Sequence, residues 1–265
     1  MSPTPLLRHR LWTVDRLQRR RASAGRIRVK LDDGARTTLH VASYERRAFE
    51  ASVVLLEHPA PLVRWCAEQG VRDAVVGGFF SRPQYTPLGQ LRIDGDTQPS
   101  VAFDAPWGDV RACVQITGGE VEVGRRDQLG AAPEGDLLQA GPLLVGGGRL
   151  AVVAGQDDEG FSAAAHQFDS DITAGRYPRT ALALAGERLL LVACDGRTDR
   201  DAGLTLTELA SALVQLGATD ALNLDGGGSA SLVYDGRLRN RPREEHGADL
   251  LEGRAIVTAI VLRAR

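Results

Sequence analysis

Cysteine is scarce in this chain, and what there is does not pair. Cys66, Cys113 and Cys194 are odd in number, far apart and each set in an apolar segment. That pattern argues against a disulfide framework or a zinc site and for buried thiols. Surplus charge is missing too. A formal net charge of −2 lacks the basic excess of a general nucleic-acid binder, so no nucleic-acid partner is expected. No apolar run approaches the ~18 residues of a membrane span, and no membrane partner is expected. The N-terminus shows no apolar core of a secretory leader, so the expected location is cytoplasmic. Three glycine-loop signatures are also absent. Neither G-x-G-x-x-G nor G-K-[ST] occurs with a helix behind it, and the nucleophile elbow G-x-S-x-G is not found.

What is present starts with a core. Hydrophobic residues make up 43% and charged residues 25%, ordinary for a globular protein with a sizeable interior. Residues 1–24 form a basic segment, with Arg8, Arg10, Arg16, Arg19, Arg20 and Arg21 against the single acid Asp15. Leu11, Val14 and Leu17 are spaced for a short helix, the alternative being a frayed or docked terminus. From residue 25 onward one domain is expected. Arg26–Leu31 and Arg36–Val41 alternate around Asp32-Asp33-Gly34 as a hairpin. Further strands are expected at Ala51–Leu56, Asp73–Val76, Leu91–Ile93, Val110–Thr117, Glu120–Val123, Arg149–Ala154, Ala181–Ala185, Leu189–Cys194 and Ala255–Leu262. Pro142 interrupts Leu137–Val145, which reads as an edge or a bulge.

Two helices stand out. Pro61 opens the first, ending near Gln69 before Gly70. Thr205-Leu206-Thr207-Glu208 is a capping box opening a helix over Leu206–Leu216, with Leu206, Leu209, Ala210 and Leu213 on one face. Strand-to-helix alternation occurs only twice. The expected fold is therefore a mixed, α+β-like α/β domain, strand-rich with a few packed helices, and not a doubly wound parallel sheet.

The most unusual stretch is Ala221–Tyr234. Two short apolar runs flank Asn223-Leu224-Asp225-Gly226-Gly227-Gly228-Ser229. Glycines there admit positive φ and let a ligand approach bare backbone N–H groups. A glycine-rich hairpin with an aspartate in its turn is the plainer reading, but three glycines exceed what a hairpin needs. Asp195-Gly196-Arg197 ends another expected strand, and Arg179-Thr180 begins one. Residues 155–178 form a long polar connection carrying Asp157, Asp158, Glu159, His166, Asp169, Asp171 and Tyr177, suited to a lid. No EF-hand spacing occurs in it, so no metal is assigned, a divalent cation remaining an alternative.

These motifs, in this order, resemble the phosphodiester glycosidase family over about Val75 to the C-terminus. The resemblance rests on Gly77-Gly78-Phe79-Phe80, with Val76 where the family has asparagine, and on Ala140-Gly141-Pro142. Arg179-Thr180, Asp195-Gly196-Arg197, the helix from Thr205, and Asn223 to Ser229 complete it. It implies hydrolysis of a sugar 1-phosphodiester, with a small-molecule or glycan sugar phosphate as partner and no cofactor. Cleaving a glycosidic bond calls for carboxyl groups across the sugar, and a phosphate leaving group suits arginine. Asp225 is the candidate nucleophile or base and Asp195 its partner. Glu208 is a candidate too, although capping alone explains it. Arg179 and Arg197 are expected to clamp phosphate, assisted by backbone N–H groups of Gly226, Gly227 and Gly228. Thr180, Gly77, Gly78, Asn223 and Ser229 are expected to line the site. Each arginine has an alternative as a structural ion pair. Two other functions stay open, a metal-assisted phosphodiesterase or phosphatase and a non-catalytic sugar-phosphate binding module.

Overall fold

A computed structural model describes residues 20–130, 134–161 and 175–265. The expected N-terminal basic helix, and His166, Asp169 and Asp171 of the long connection, lie outside the described residues. In chain order the strands are β1 (Ala22–Lys30), β2 (Arg36–Glu45), β3 (Phe49–Pro61), β4 (Asp73–Val76), β5 (Leu91–Ile93) and β6 (Asp96–Thr97). Then come β7 (Ala112–Thr117), β8 (Glu120–Arg125), β9 (Asp136–Gln139), β10 (Leu143–Gly146), β11 (Arg149–Leu150) and β12 (Arg179–Ala185). β13 (Arg188–Cys194), β14 (Asp220–Asn223), β15 (Leu232–Tyr234), β16 (Arg237–Leu238) and β17 (Ala255–Ala264) follow. Among the described residues the α-helices are α1 (Leu62–Glu68), α2 (Trp107–Val110) and α3 (Leu206–Gln215).

Three sheets result, ordered β1-β2-β13-β12-β14-β10-β11, β16-β15-β4-β17-β3 and β6-β5-β9-β7-β8. Their ladders are antiparallel, so the strand-rich α/β expectation holds and its sheets are antiparallel. The central strands of the seven-stranded sheet, β12, β13 and β14, are buried on both faces because they are apolar at successive positions. On β12, Ala181 and Ala183 face one way and Leu182 and Leu184 the other. The first set packs against α3 through Leu209, Ala210, Ala212 and Leu213. The second meets the two five-stranded sheets, including Val75 and Val76 of β4 and Ile260 of β17. The two apolar clusters share β2, β10, β12, β13 and β14, which ties them together through one sheet.

Several boundaries differ from expectation for identifiable reasons. β1 starts at Ala22, so the sheet takes in the last residues of the basic segment. β3 runs on past Leu56 to Pro61, because a register shift opposite Ile256/Thr258 accommodates Pro59; proline is tolerated in a sheet at such an irregularity. Pro142 precedes β10, which then shifts register against β14 between Leu143 and Val145. The expected single strand Leu137–Val145 is therefore two strands of different sheets, β9 and β10, with Pro142 at the crossing between them rather than at an edge or in a bulge. After Arg149–Leu150 the expected strand to Ala154 does not continue. No described helix is long and apolar enough to cross a membrane.

Candidate active site

Antiparallel pairing gathers the distant motifs at one end of the large sheet. Arg179 at the start of β12 pairs with Cys194 at the end of β13, and Ala181 pairs with Asn223 at the end of β14. Asp195 and Asp225 therefore leave neighbouring regions of one sheet edge. The end of β4 joins them, where the Asp225 N–H donates to the Gly77 carbonyl at 3.0 Å. The Thr180 hydroxyl donates to the Asp225 carbonyl, and the Leu224 N–H to the Thr180 carbonyl at 3.0 Å. Thr180 and Gly77 thus hold the backbone of Asp225 from two sides. A Cβ on Gly77 would lie 2.5 Å from Thr258 Oγ1, so this corner closes only with glycine there. Gly78 donates its N–H to the same hydroxyl at 3.1 Å. Val76 is fully buried in the core between the sheets.

The Gly226–Gly228 loop is shaped by contact as well as by torsion. Gly227 has φ +58°, and its N–H donates to the Pro178 carbonyl at 2.9 Å. The Gly226 N–H donates to Asp225 Oδ1 at 2.9 Å. Two of the three N–H groups expected to cradle phosphate are therefore already engaged, leaving that of Gly228. A Cβ on Gly228 would come 2.9 Å from Glu244 Oε1 and 3.1 Å from Arg254 Nη2. Glu244 and Arg254 form a two-pronged pair at 2.9 and 2.5 Å beside the loop.

The charge around Asp225 is the main chemical feature. Packing of protein around its carboxyl raises the pKa to about 6, against the partial relief given by Ser229, the Gly226 N–H, Arg254 and Arg82. The Ser229 hydroxyl is buried beside this carboxyl without reaching full hydrogen-bond geometry. Asp225 remains partly accessible to solvent. Glu244 moves the other way, held below the usual carboxylate range by the Arg254 hydrogen bond, with Arg197 and Arg82 adding to it. Arg82, Arg197 and Arg254 thus surround two carboxylates of opposite tendency.

The remaining expected residues divide. Arg197, in the left-handed region at φ +64°, donates Nη1 to the Arg243 carbonyl at 2.8 Å and lies 3.5–3.8 Å from where a Cβ of Gly227 would be. Its guanidinium also lies 5.6 Å from the Tyr177 ring centroid. Arg179 is buried; its guanidinium donates to the Leu204 carbonyl at 3.0 Å and to that of Gly175, over the other contact on Tyr177. It reads as a clip between segments. Asn223 donates Nδ2 to the Gly141 carbonyl at 3.0 Å, while its buried Oδ1 has no partner among the described residues. Asp195 is buried, with Oδ1 accepting the Arg241 N–H at 2.7 Å and Oδ2 bonded to His40 Nε2 at 3.0 Å. Glu208 completes the capping box, taking the Thr205 N–H at 2.9 Å, and grips Arg176 with both oxygens. Both carboxylates are engaged in structure.

Arg82, Glu244, Arg254 and Tyr177 are the neighbours that the sequence pattern did not single out as site residues. Glu244 sits in a charged loop and Arg254 before the last strand, and nothing in either stretch marks them apart from surface charges. Among the described residues no group of three or more His, Cys, Asp or Glu side chains converges as a metal site would require.

Comparison with known proteins matches this architecture. The phosphodiester glycosidase family model matches residues 69–263. A mouse relative, N-acetylglucosamine-1-phosphodiester alpha-N-acetylglucosaminidase, is 31% identical over 182 residues, which is 66% of this chain and 34% of that protein. The chain thus spans about a third of that relative's length. In structure, the catalytic domain of the zebrafish enzyme of the same name, described as auto-inhibited by its pro-peptide, superposes with a TM-score of 0.70 at 21% identity. That match covers 94% of this chain and 85% of the zebrafish domain. A putative exported protein from Burkholderia pseudomallei gives 0.63 at 16% identity, over 89% and 75%. None of these supports the cytoplasmic expectation. With the family model covering most of its length and the site motifs meeting at one sheet edge, the chain belongs to the phosphodiester glycosidase family.

Proposed function

We propose that this protein hydrolyses a sugar 1-phosphodiester at the anomeric C–O bond, at the sheet end around Asp225. The observation that carries the proposal is the Asp225 carboxyl itself. Raised to about 6 and partly accessible, it feels Arg254 and Arg82, while Arg197 acts on Glu244 beside it. A carboxylate of that basicity is ionised at neutral pH and still a competent proton acceptor. The leaving group is a phosphate ester, already stable as an anion, so protonation of the leaving oxygen is not demanded. Asp225 takes a proton from water as the water oxygen attacks C1. The C1–O bond breaks with its electron pair going to the phosphate oxygen, and the phosphomonoester leaves. Arg82, Arg197 and Arg254 hold the phosphate and balance its charge, with Glu244 orienting Arg254. The Gly228 N–H supplies one backbone donor. Thr180 and Gly77 position Asp225, and Asp195 positions the segment at Arg241.

The names of the relatives point to an α-linked N-acetylglucosamine as the sugar to try first. Turnover in ¹⁸O-labelled water tests the bond. Label in the released sugar supports the proposal, whereas label in the phosphate means P–O cleavage and a phosphodiesterase.

A further inference from the structure

A cavity of about 320 Å³ lies where β1 and β2 of the large sheet approach β15 and β16. Its polar lining is two guanidinium groups and an imidazole: Arg26 from β1, His40 from β2 and Arg239 just beyond β16. Arg26 and His40 face each other across the ladder, so their side chains share one face of the sheet. Arg26 has no side-chain hydrogen bond or ion pair among the described residues. Arg239 is held over the Tyr234 ring, 5.0 Å from its centroid, and donates Nε and Nη2 to the Tyr234 carbonyl. His40 is fixed by the hydrogen bond from Nε2 to buried Asp195, so its Nδ1 donates to an anion when the ring is protonated.

No acidic residue lines the cavity among those described. The carboxylates nearest Tyr234, Asp73 and Asp235, are hydrogen-bonded to Tyr44 and Arg72. Leu232 and Leu238 supply an apolar wall. Three polar groups on three segments, two of them guanidinium ions, suit an anion with three oxygens better than a carboxylate with two. The volume is at the lower end for small-molecule sites, of about 300–1,000 Å³, enough for such an anion with a sugar-sized body.

We propose that this pocket binds a phosphomonoester, with Arg26, His40 and Arg239 as its ligands. The site stands apart from the hydrolytic reading of Asp225 and is tested without turnover. The imidazole resonance of His40, assigned by its loss in His40→Gln, is followed by NMR in the full chain. The probes are hexose 6-phosphate, inorganic phosphate and a hexuronate. A saturable shift with hexose 6-phosphate is expected, with half-saturation raised about tenfold or more in Arg26→Glu, whose exposed position spares the fold. Arg239→Gln, as a second variant, is expected to weaken binding in the same direction. Sugar hydrolysis in Arg26→Glu is expected to stay at the parent rate. Tighter binding of hexose 6-phosphate than of inorganic phosphate identifies the ester as the source, and equal binding identifies the free anion; both support a phosphate site. Absence of a saturable shift by about 10 mM, weaker than most specific sites, overturns the proposal. So does a shift unchanged in Arg26→Glu, or hexuronate binding as tightly as the phosphates.

Discussion

Asp195 and Asp225 begin as near twins. Each follows an apolar strand, each precedes a glycine, and both lie at one end of the same sheet. Their surroundings separate them. Asp195 is buried with both oxygens hydrogen-bonded, one to a ring nitrogen and one to a backbone N–H. Asp225 is partly accessible, with one oxygen held by its own loop and its pKa raised to about 6. A carboxylate whose bonds are complete fastens segments together; one left underbonded and partly accessible exchanges protons. The decisive partners, His40 on one side and Arg82 and Arg254 on the other, come from far along the chain.

The sharpest way to break this contrast is Asp225→Asn. Its oxygen keeps the Gly226 bond, but the charge goes. Turnover of a sugar phosphodiester should fall by at least ~10²-fold, the scale of a lost general acid–base group. Stability should move the other way. The carboxyl titrates at 3.8 in the open chain and about 6 when folded, so the folded state binds more protons between those values. Stability from this group therefore falls as pH rises from about 4 to 6, and is lowest above it. Thermal melts should place the variant a few degrees above the parent at pH 8, a gain on the order of 1–3 kcal/mol at most. That gain should disappear by pH 4. An active variant, or one less stable at pH 8, would remove Asp225 from the base role. The same carboxyl predicts that kcat/KM of the parent climbs through pH about 6 to a plateau.

Arg254→Gln tests the charge ring. It removes a guanidinium from beside Asp225 and releases Glu244. We expect kcat/KM to drop roughly 10- to 100-fold, the range for one charge-assisted contact. Glu244 should then titrate higher than in the parent, since Arg254 is the leading cause of its lowered pKa. Activity within a factor of two of the parent would exclude Arg254 from the clamp.

Asp195→Asn should give the opposite balance to Asp225→Asn. An amide can satisfy His40 or the Arg241 N–H but loses the charge assistance of both. A cost of about 1–3 kcal/mol is expected for disturbing these buried bonds. Turnover by the folded protein should stay within about tenfold of the parent. A loss of activity as large as that for Asp225→Asn, with an unchanged melt, would restore Asp195 as the reacting partner.

How much of this was legible beforehand follows from the range of the interactions. The β12–β13 hairpin and α3 are written locally: apolar residues at successive positions, a glycine turn, and Thr205 with Glu208 three residues on. Sequence reading located them within a residue or two. The meeting of Thr180, Asp195, Asp225 and Gly77 at one sheet end was expected only from the family resemblance of their motifs, since nothing local in the four stretches draws them together. The fate of Asp195 was not legible, since it is decided by a histidine 155 positions away. Likewise the arginines at 82 and 254 look like any solvated charge until the fold sets them beside Asp225. Two of the three glycine N–H groups were misjudged for a similar reason: local carbonyl and carboxylate partners had already taken them.

The smallest effect belongs to Glu208, and it separates a helix cap from a site residue. Its carboxylate takes the Thr205 N–H at 2.9 Å while the Thr205 hydroxyl takes the Glu208 N–H at 3.1 Å, which closes the capping box on α3. The same oxygens hold Arg176, in a pair with side chains 24% and 20% exposed, so solvent screens part of its worth. Glu208→Ala loses one half of the box and the ion pair. About 1 kcal/mol is expected for the cap, with the partly exposed pair adding a fraction of that. In a chain of this size that is a fall of roughly 2–4 °C in the melting temperature. Glu208→Gln keeps the reciprocal bond to Thr205 and should recover much of the loss. Turnover should match the parent in both variants, because neither change reaches Asp225 or the arginines around it. The informative exception would be Glu208→Gln melting like the parent while turning over ten times more slowly. That result would need the charge itself in the reaction, and would move Glu208 from the end of α3 into the chemistry of the site.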